Sequence, residues 1–307
     1  MPERTAHGST IRDALTDAAQ RLGAAGLPRP RREAIMLWAA VAGGGTKPGD
    51  VWLQQDQEPA AELVERFSRA VEQRSSGVPF AYAAGRTGFR TLDLRLDPRA
   101  LIPRPETEGL VDRVLAWSQR VQPETWNVQR GGRWGVVADV GTGCGCIALA
   151  LAVEGRFERV IAVERSAEAA ALARENVALV RPSVPVEMRE GDLLAPLAGQ
   201  RYRAIVSNPP YLTEGEYAAL DPAVRLFEPR EALVSGGDGL TATRALLAGA
   251  RALLEPGGFL ALEIDERRAD AVRTLALRDH WSRVALYDDL FGRPRFLLAG
   301  IDEEGGT

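Results

Sequence analysis

The 307-residue chain is long enough for two domains, and its 45% hydrophobic and 26% charged residues are ordinary for a soluble globular protein. Its 38 basic and 42 acidic residues leave a net charge of −4, with the signs evenly spread and Lys47 the only lysine, which is not the basic footprint of a nucleic-acid binder. The amino terminus has no apolar core of signal-peptide length and no run approaches a membrane span, so a cytoplasmic protein is expected. Cys144 and Cys146 lie too close for an ordinary disulfide and are too few for a zinc site. With His7 and His280 the only histidines, neither a metal centre nor a Cys/His nucleophile pair is expected.

Residues 9–75 read as helices. Ser9 or Thr10 caps a first pattern through Ile11, Leu15, Ala18, Ala19 and Leu22, and Pro30 opens a second with Ile35, Leu37, Trp38 and Val41 as its apolar side. A third runs from Ala60 to Gln73 with Leu63, Val64, Phe67 and Val71 on one side. Together they predict a small helical bundle over residues 1–76 with nothing catalytic in it. Residues 77–103 change to Gly, Pro and the period-two run from Thr91 to Leu96, the mark of a hairpin connector. It ends in Arg104 between two prolines, a guanidinium held at a rigid loop tip. Pro105, Glu106 and Glu108 then signal a helix start.

After a polar loop over 118–134, strand, loop and helix alternate through 104–307. Buried strands are predicted at Val136–Val140, Val160–Val163, around Val186–Met188, at Tyr202–Val206 and at Phe259–Ile264, with two more near 281–287 and 295–301. Helices are expected between them, among them Ile147–Val153, 240–254 and 266–278. This alternation predicts an α/β, Rossmann-like fold: an open, mostly parallel seven-stranded sheet covered by helices, with ligands bound beyond the carboxyl ends of its strands.

Two motifs lie at those ends. Asp139, Gly141, Thr142, Gly143, Cys144 and Gly145 form a glycine loop after the first strand, and Glu164, 25 positions beyond Asp139, ends the second. Glycines let the backbone approach a nucleoside, and an acid at that place accepts from ribose hydroxyls. Cys146 stands where a dinucleotide fingerprint needs glycine, and there is no P-loop lysine, so S-adenosylmethionine is favoured. Asp192, with Leu193 beside it, falls where the adenine amino group would lie. At the end of the fourth strand, Asn208-Pro209-Pro210-Tyr211 offers the Asn208 amide oxygen and the Pro209 carbonyl as two acceptors side by side. That pair suits a planar NH2 group, and Tyr211 adds a flat face for it. An NH2 holder opposite a methyl-donor site reads as an amino- or amide-N methyltransferase.

At these residues the chain resembles the PrmC/HemK-type glutamine-N5 methyltransferases that modify peptide chain release factors. The resemblance rests on Arg31-Arg32-Glu33-Ala34, the Gly77–Gly85 connector, Leu101-Ile102-Pro103-Arg104-Pro105-Glu106-Thr107-Glu108, Asp139–Gly145, Asn208–Tyr211, Phe227–Leu233 and Asp289-Leu290-Phe291-Gly292. It implies methyl transfer from S-adenosylmethionine, with release of S-adenosylhomocysteine, to the glutamine of the Gly-Gly-Gln motif of release factors in translation termination. Asn208, Pro209, Pro210 and Tyr211 then hold the substrate amide with Arg104 nearby. The helical domain recognises the release factor, and the enzyme is a monomer without nucleic acid. Asp265 departs from the family, which usually has Gly there. Rival readings are a glutamine methyltransferase of a ribosomal protein, an adenine-N6 DNA methyltransferase, which the acidic charge disfavours, and a non-catalytic donor-binding module.

Overall fold

A computed structural model describes residues 10–120 and 133–302. His7, Ser9 and most of the polar loop expected at 118–134 lie outside the described residues, and the first residues of that loop complete a helix instead. The chain divides into two compact units, Met1–Thr87 and Gly88–Thr307.

The first unit is built from α1 (Ile11–Ala24), α2 (Pro30–Ala42), α3 (Pro48–Leu53), α4 (Ala61–Ser75) and α5 (Phe80–Ala84). Thr10 and Asp13 close a reciprocal capping box that satisfies two amide donors at the start of α1. The apolar sides come together as expected: Leu15, Leu22, Leu37, Trp38, Phe67 and Val71 form one buried core, with the Trp38 ring edge-on to Phe67 at 4.7 Å. The short helices α3 and α5 were not anticipated. Each has proline at its first turn or just before it, but too few residues to show a helical period.

A hairpin of β1 (Arg86–Phe89) and β2 (Leu92–Arg95) follows, and then α6 (Pro105–Arg120). The main sheet uses β3 (Val136–Val140), β4 (Arg159–Glu164), β5 (Val186–Glu190), β6 (Tyr202–Ser207), β7 (Leu254–Glu263), β8 (Arg283–Asp288) and β9 (Pro294–Gly300). Their order is β5-β4-β3-β6-β7-β9-β8, with β9 running antiparallel to β7 and β8 on either side of it and the other pairs parallel. The seven-stranded, mostly parallel sheet is therefore as the alternation implied. Helices α7 (Cys146–Glu154), α8 (Ala167–Val180), α11 (Thr241–Ala250) and α12 (Ala269–Arg278) connect the strands, and two short helices, α9 (Glu214–Ala218) and α10 (Pro222–Phe227), follow β6. The helix expected over 240–254 ends early: Arg251–Leu253 tightens to 3-10 geometry and β7 starts at Leu254.

The sheet is buried because its central strands are apolar on both faces; every residue of β6 is buried. Ile205, Leu246, Leu260 and Leu297 belong to the core on one side, each worth about 1.5–3 kcal/mol of transfer free energy. On the other side α6 approaches β9 so closely that a Cβ at Gly109 would lie 2.8 Å from the Phe296 ring, which explains a glycine inside a helix. The strand order places β3 and β6 side by side at the centre, where crossovers leave in opposite directions and a crevice opens at the carboxyl ends.

Candidate active site

A cavity of about 330 Å³ opens beyond the carboxyl ends of β3, β4, β5 and β6, a volume within the usual range for small-molecule sites. Gly141, Gly143, Glu164, Asp192, Leu193, Asn208 and Pro210 line it together with Arg99, Leu101 and Thr241. The structure thus brings the two sequence motifs to one cavity. Asp139, Thr142, Cys144, Gly145, Pro209, Tyr211 and Arg104 are not on its wall, and most of them support it.

Gly141, Gly143 and Gly145 all have positive φ, at 73°, 56° and 88°, so the loop turns in a region that side chains with a Cβ avoid. Asp139 lies beneath it, fully buried. Its Oδ2 accepts from the Thr142 hydroxyl (2.6 Å) and the Ala148 amide (3.0 Å), while Oδ1 has no partner. Burial pushes the Asp139 carboxyl up to about 7, against the pull of those two hydrogen bonds. Glu164 clamps the loop from the next strand: Oε2 accepts from Gly143 N (2.9 Å), and Oε1 accepts from the amides of Arg165 and Ser166. Three of its four lone-pair sites are so used, leaving one on Oε2 for a ligand hydroxyl. Asn176 of α8, which sequence reading passed over, donates to the carbonyls of Cys144 and Arg95 and accepts from Arg95 N, tying the glycine loop to β2. Leu193 has φ of 44°, a conformation unusual for leucine, and it sits on the cavity wall next to Asp192.

On the other wall, the Ser207 hydroxyl donates to the Val140 carbonyl (2.7 Å) and fixes the end of β6 against β3. Asn208 follows, half-buried. Its Nδ2 donates to Thr107 Oγ1 of α6 (3.2 Å), and the Thr107 hydroxyl donates to Glu263 Oε2 at the end of β7 (2.7 Å). Neither Asn208 Oδ1 nor the Pro209 carbonyl takes a hydrogen bond from the described residues. Backbone pairing of Leu212 with Leu233 and Ser235 holds the chain just after the motif. Tyr211 is pushed up to about 12, first by burial and then by the nearby Glu263, so it stays a neutral phenol. Arg104, expected as a guanidinium presented at a loop tip, instead pairs with the buried Glu228 at 2.7 Å, and Glu228 also accepts from Ile102 N. The Phe227–Leu233 segment is thereby fastened to the loop before α6. Asp265, at the position where a glycine was expected, caps the turn after β7 by accepting from Arg267 N and pairs with the Arg267 side chain.

Glu263 is 1% exposed. Burial pushes it up to about 7, with the Thr107 hydroxyl and Arg295 opposing. Asp139 and Glu263 therefore bind protons more tightly in the fold than in the unfolded chain. Their contribution to stability is complete below about pH 4 and is lost as pH rises through about 7. The melting temperature is expected to fall between about pH 5 and 7 and to level off above that, and Glu263→Gln should flatten part of that slope. Calorimetric scans across the range that show an identical slope in both proteins would contradict the assignment.

Among the described residues no group of His, Cys, Asp and Glu is arranged to hold a metal, and no helix is long and apolar enough to cross a membrane. Two family models match the chain: the PrmC N-terminal domain over residues 13–85 and the Methyltransferase small domain over residues 127–239. A release factor glutamine methyltransferase of Moorella thermoacetica is 40% identical over 299 residues, covering 96% of this chain and 100% of the relative. One from Deinococcus radiodurans is 38% identical over 289 residues, covering 94% and 98%. Among solved structures, a methyltransferase from Pyrococcus furiosus superposes with a TM-score of 0.50 at 18% identity, covering 78% of this chain and 98% of that one, a likeness of fold. With both family models in place and near-complete coverage of these relatives, the chain belongs to the release factor glutamine methyltransferase family.

Proposed function

We propose that this protein methylates the side-chain amide nitrogen of the glutamine in the Gly-Gly-Gln motif of peptide chain release factors, with S-adenosylmethionine as donor. The observation that carries this reading is Asn208. Its amide sits on the wall of the cavity with NH2 engaged by Thr107 and Oδ1 taking no hydrogen bond from the described residues, an acceptor left for a ligand.

The residues fit the donor. The exposed Gly141 admits close backbone approach, Glu164 keeps one lone pair for a ribose hydroxyl, and Asp139 keeps an orphaned acceptor beneath the loop. Asp192, exposed and on the cavity wall, is assigned to the adenine edge. Bound there, S-adenosylmethionine supplies an electrophilic methyl on a sulfonium. The protein's task is to position a weak nucleophile, since an amide nitrogen shares its lone pair with the carbonyl. Asn208 Oδ1 and the Pro209 carbonyl accept the two amide hydrogens, which aims the nitrogen and stabilises the positive charge it gains as the new bond forms. Tyr211 supports the plane of the amide.

The remaining assignments belong to the same proposal. Residues 1–76 act as the substrate-recognition domain, 77–103 as the connector and 104–307 as the catalytic domain. The enzyme works in the cytoplasm as a monomer, on a protein and without nucleic acid. The test is mass spectrometry of purified release factors before and after incubation with enzyme and donor. One added methyl is expected on the Gly-Gly-Gln glutamine, at a far higher rate on the intact factor than on a short peptide carrying the motif. Absence of methylation would refute the substrate, and equal rates on factor and peptide would refute a second recognition surface.

A further inference from the structure

We propose that Thr107 and Glu263 form a positioning pair that sets which end of the Asn208 amide faces the substrate. An asparagine amide has an acceptor end and a donor end of nearly the same shape, and only the acceptor end can receive the hydrogens of a substrate NH2. Turned over, Asn208 would set donor against donor, and the site would repel what it has to hold. The inference rests on the proposed function above for the identity of the substrate group, but its geometry is independent of that reading.

The polarity follows from counting hydrogens. Thr107 is 2% exposed, and its hydroxyl has one hydrogen. An ionised Glu263 has none to give, so the Thr107 hydrogen is committed to Glu263 Oε2 at 2.7 Å. The Thr107 oxygen can then act toward Asn208 only as an acceptor, and it must meet the NH2 end, as it does at 3.2 Å. Oδ1 is left to the cavity. A protonated Glu263 breaks the logic: its own hydrogen can go to Thr107, which frees the threonine hydrogen to bind Oδ1 and permits the reversed amide.

The charged and titratable groups around Glu263 are Arg104 in the loop before α6, Glu106 on α6, Tyr211 after β6 and Arg295 on β9. The two arginines favour its ionised form. Glu106 and burial oppose it, and Tyr211 is a neutral phenol throughout the working range. The charge state of Glu263 is thus set by residues from several parts of the fold, with Arg104 and Arg295 holding the anion, and none of them is on the cavity wall.

The test compares Thr107→Val, close in shape but without the hydroxyl, with Thr107→Ser, which keeps it. With intact release factor and saturating donor, Thr107→Val is expected to lower kcat about 10-fold or more and to leave donor Kd within about twofold. Thr107→Ser should stay within about threefold of the parent enzyme. Unchanged kcat in Thr107→Val, or equal losses in both variants, would overturn the proposal. If Thr107→Val fails to fold, the pH profile of the parent decides: kcat should fall as pH drops through about 7, and Glu263→Gln should remove that step. A flat parent profile from pH 6 to 8 would also overturn the pair. Should no release factor be methylated at all, NMR of the Asn208 side-chain NH2, identified by its loss in Asn208→Asp, reads the pair directly. Slow hydrogen exchange is expected in the parent and fast exchange in Thr107→Val or Glu263→Gln, and equal exchange rates would refute the contact whatever the substrate.

Discussion

Replacing Asn208 with alanine is expected to lower turnover by at least ~100-fold while leaving donor affinity nearly unchanged. The size is that seen when a preorganised group aimed at developing charge is lost. The amide makes no hydrogen bond to the glycine loop or to Glu164, on the side of the cavity assigned to the donor; among the described residues its hydrogen bond goes to Thr107 on α6. Chemistry and donor binding should therefore separate. Single-turnover methyl transfer measures the first and titration calorimetry the second. Full activity would remove Asn208 from the reaction, and loss of donor binding would place it in the donor site instead. Asn208→Asp is an informative companion, because a carboxylate keeps the acceptor but cannot donate to Thr107 Oγ1. It should lose activity too, with the hydrogen of Thr107 now contested between two carboxylates.

Glu164→Ala is expected to weaken donor binding by roughly 10–100-fold, the worth of one or two charge-assisted hydrogen bonds. The other hydrogen bonds of Glu164 push the loss toward its upper end. Besides any ribose contact, the variant frees three backbone amides, one of them Gly143 within the glycine loop, which loses its anchor to β4. Glu164→Gln should fare little better, since its NH2 end would face amides that are themselves donors. Asp192→Ala should cost much less, because Asp192 is exposed and only loosely paired, with Arg165 at 3.9 Å. Donor titrations that give Glu164→Ala the affinity of the parent would move the ribose site elsewhere on the wall.

The amino-acid sequence by itself determined the architecture and the two motifs that line the cavity. Strand and helix periods, a glycine loop after one strand and a proline-stopped strand ending in Asn208 are local patterns, each complete within a few residues. The seven strands, the central placement of β3 and β6 and the meeting of both motifs at one cavity follow from them through the rules of parallel sheets. Elements that lack a period were missed for that reason: α3, α5, α9 and α10 have six residues or fewer and owe their existence to caps, leading prolines and packing.

Tertiary structure alone decided which side chains support the site. Asn208 meets Thr107 across 101 positions of sequence, Thr107 meets Glu263 across 156, Arg104 meets Glu228 across 124, and Asn176 reaches β2 across 81. In the sequence, Thr107 is one residue in a helix start and Glu263 one acid after an apolar run. Each could be satisfied by solvent or by its own backbone. Only the order of the strands brings the ends of β6 and β7 under α6, where water is excluded and a buried polar atom must find its partner in the protein. That requirement turns two unremarked side chains into supports for Asn208, and it pairs the Arg104 guanidinium at its loop tip with a buried glutamate.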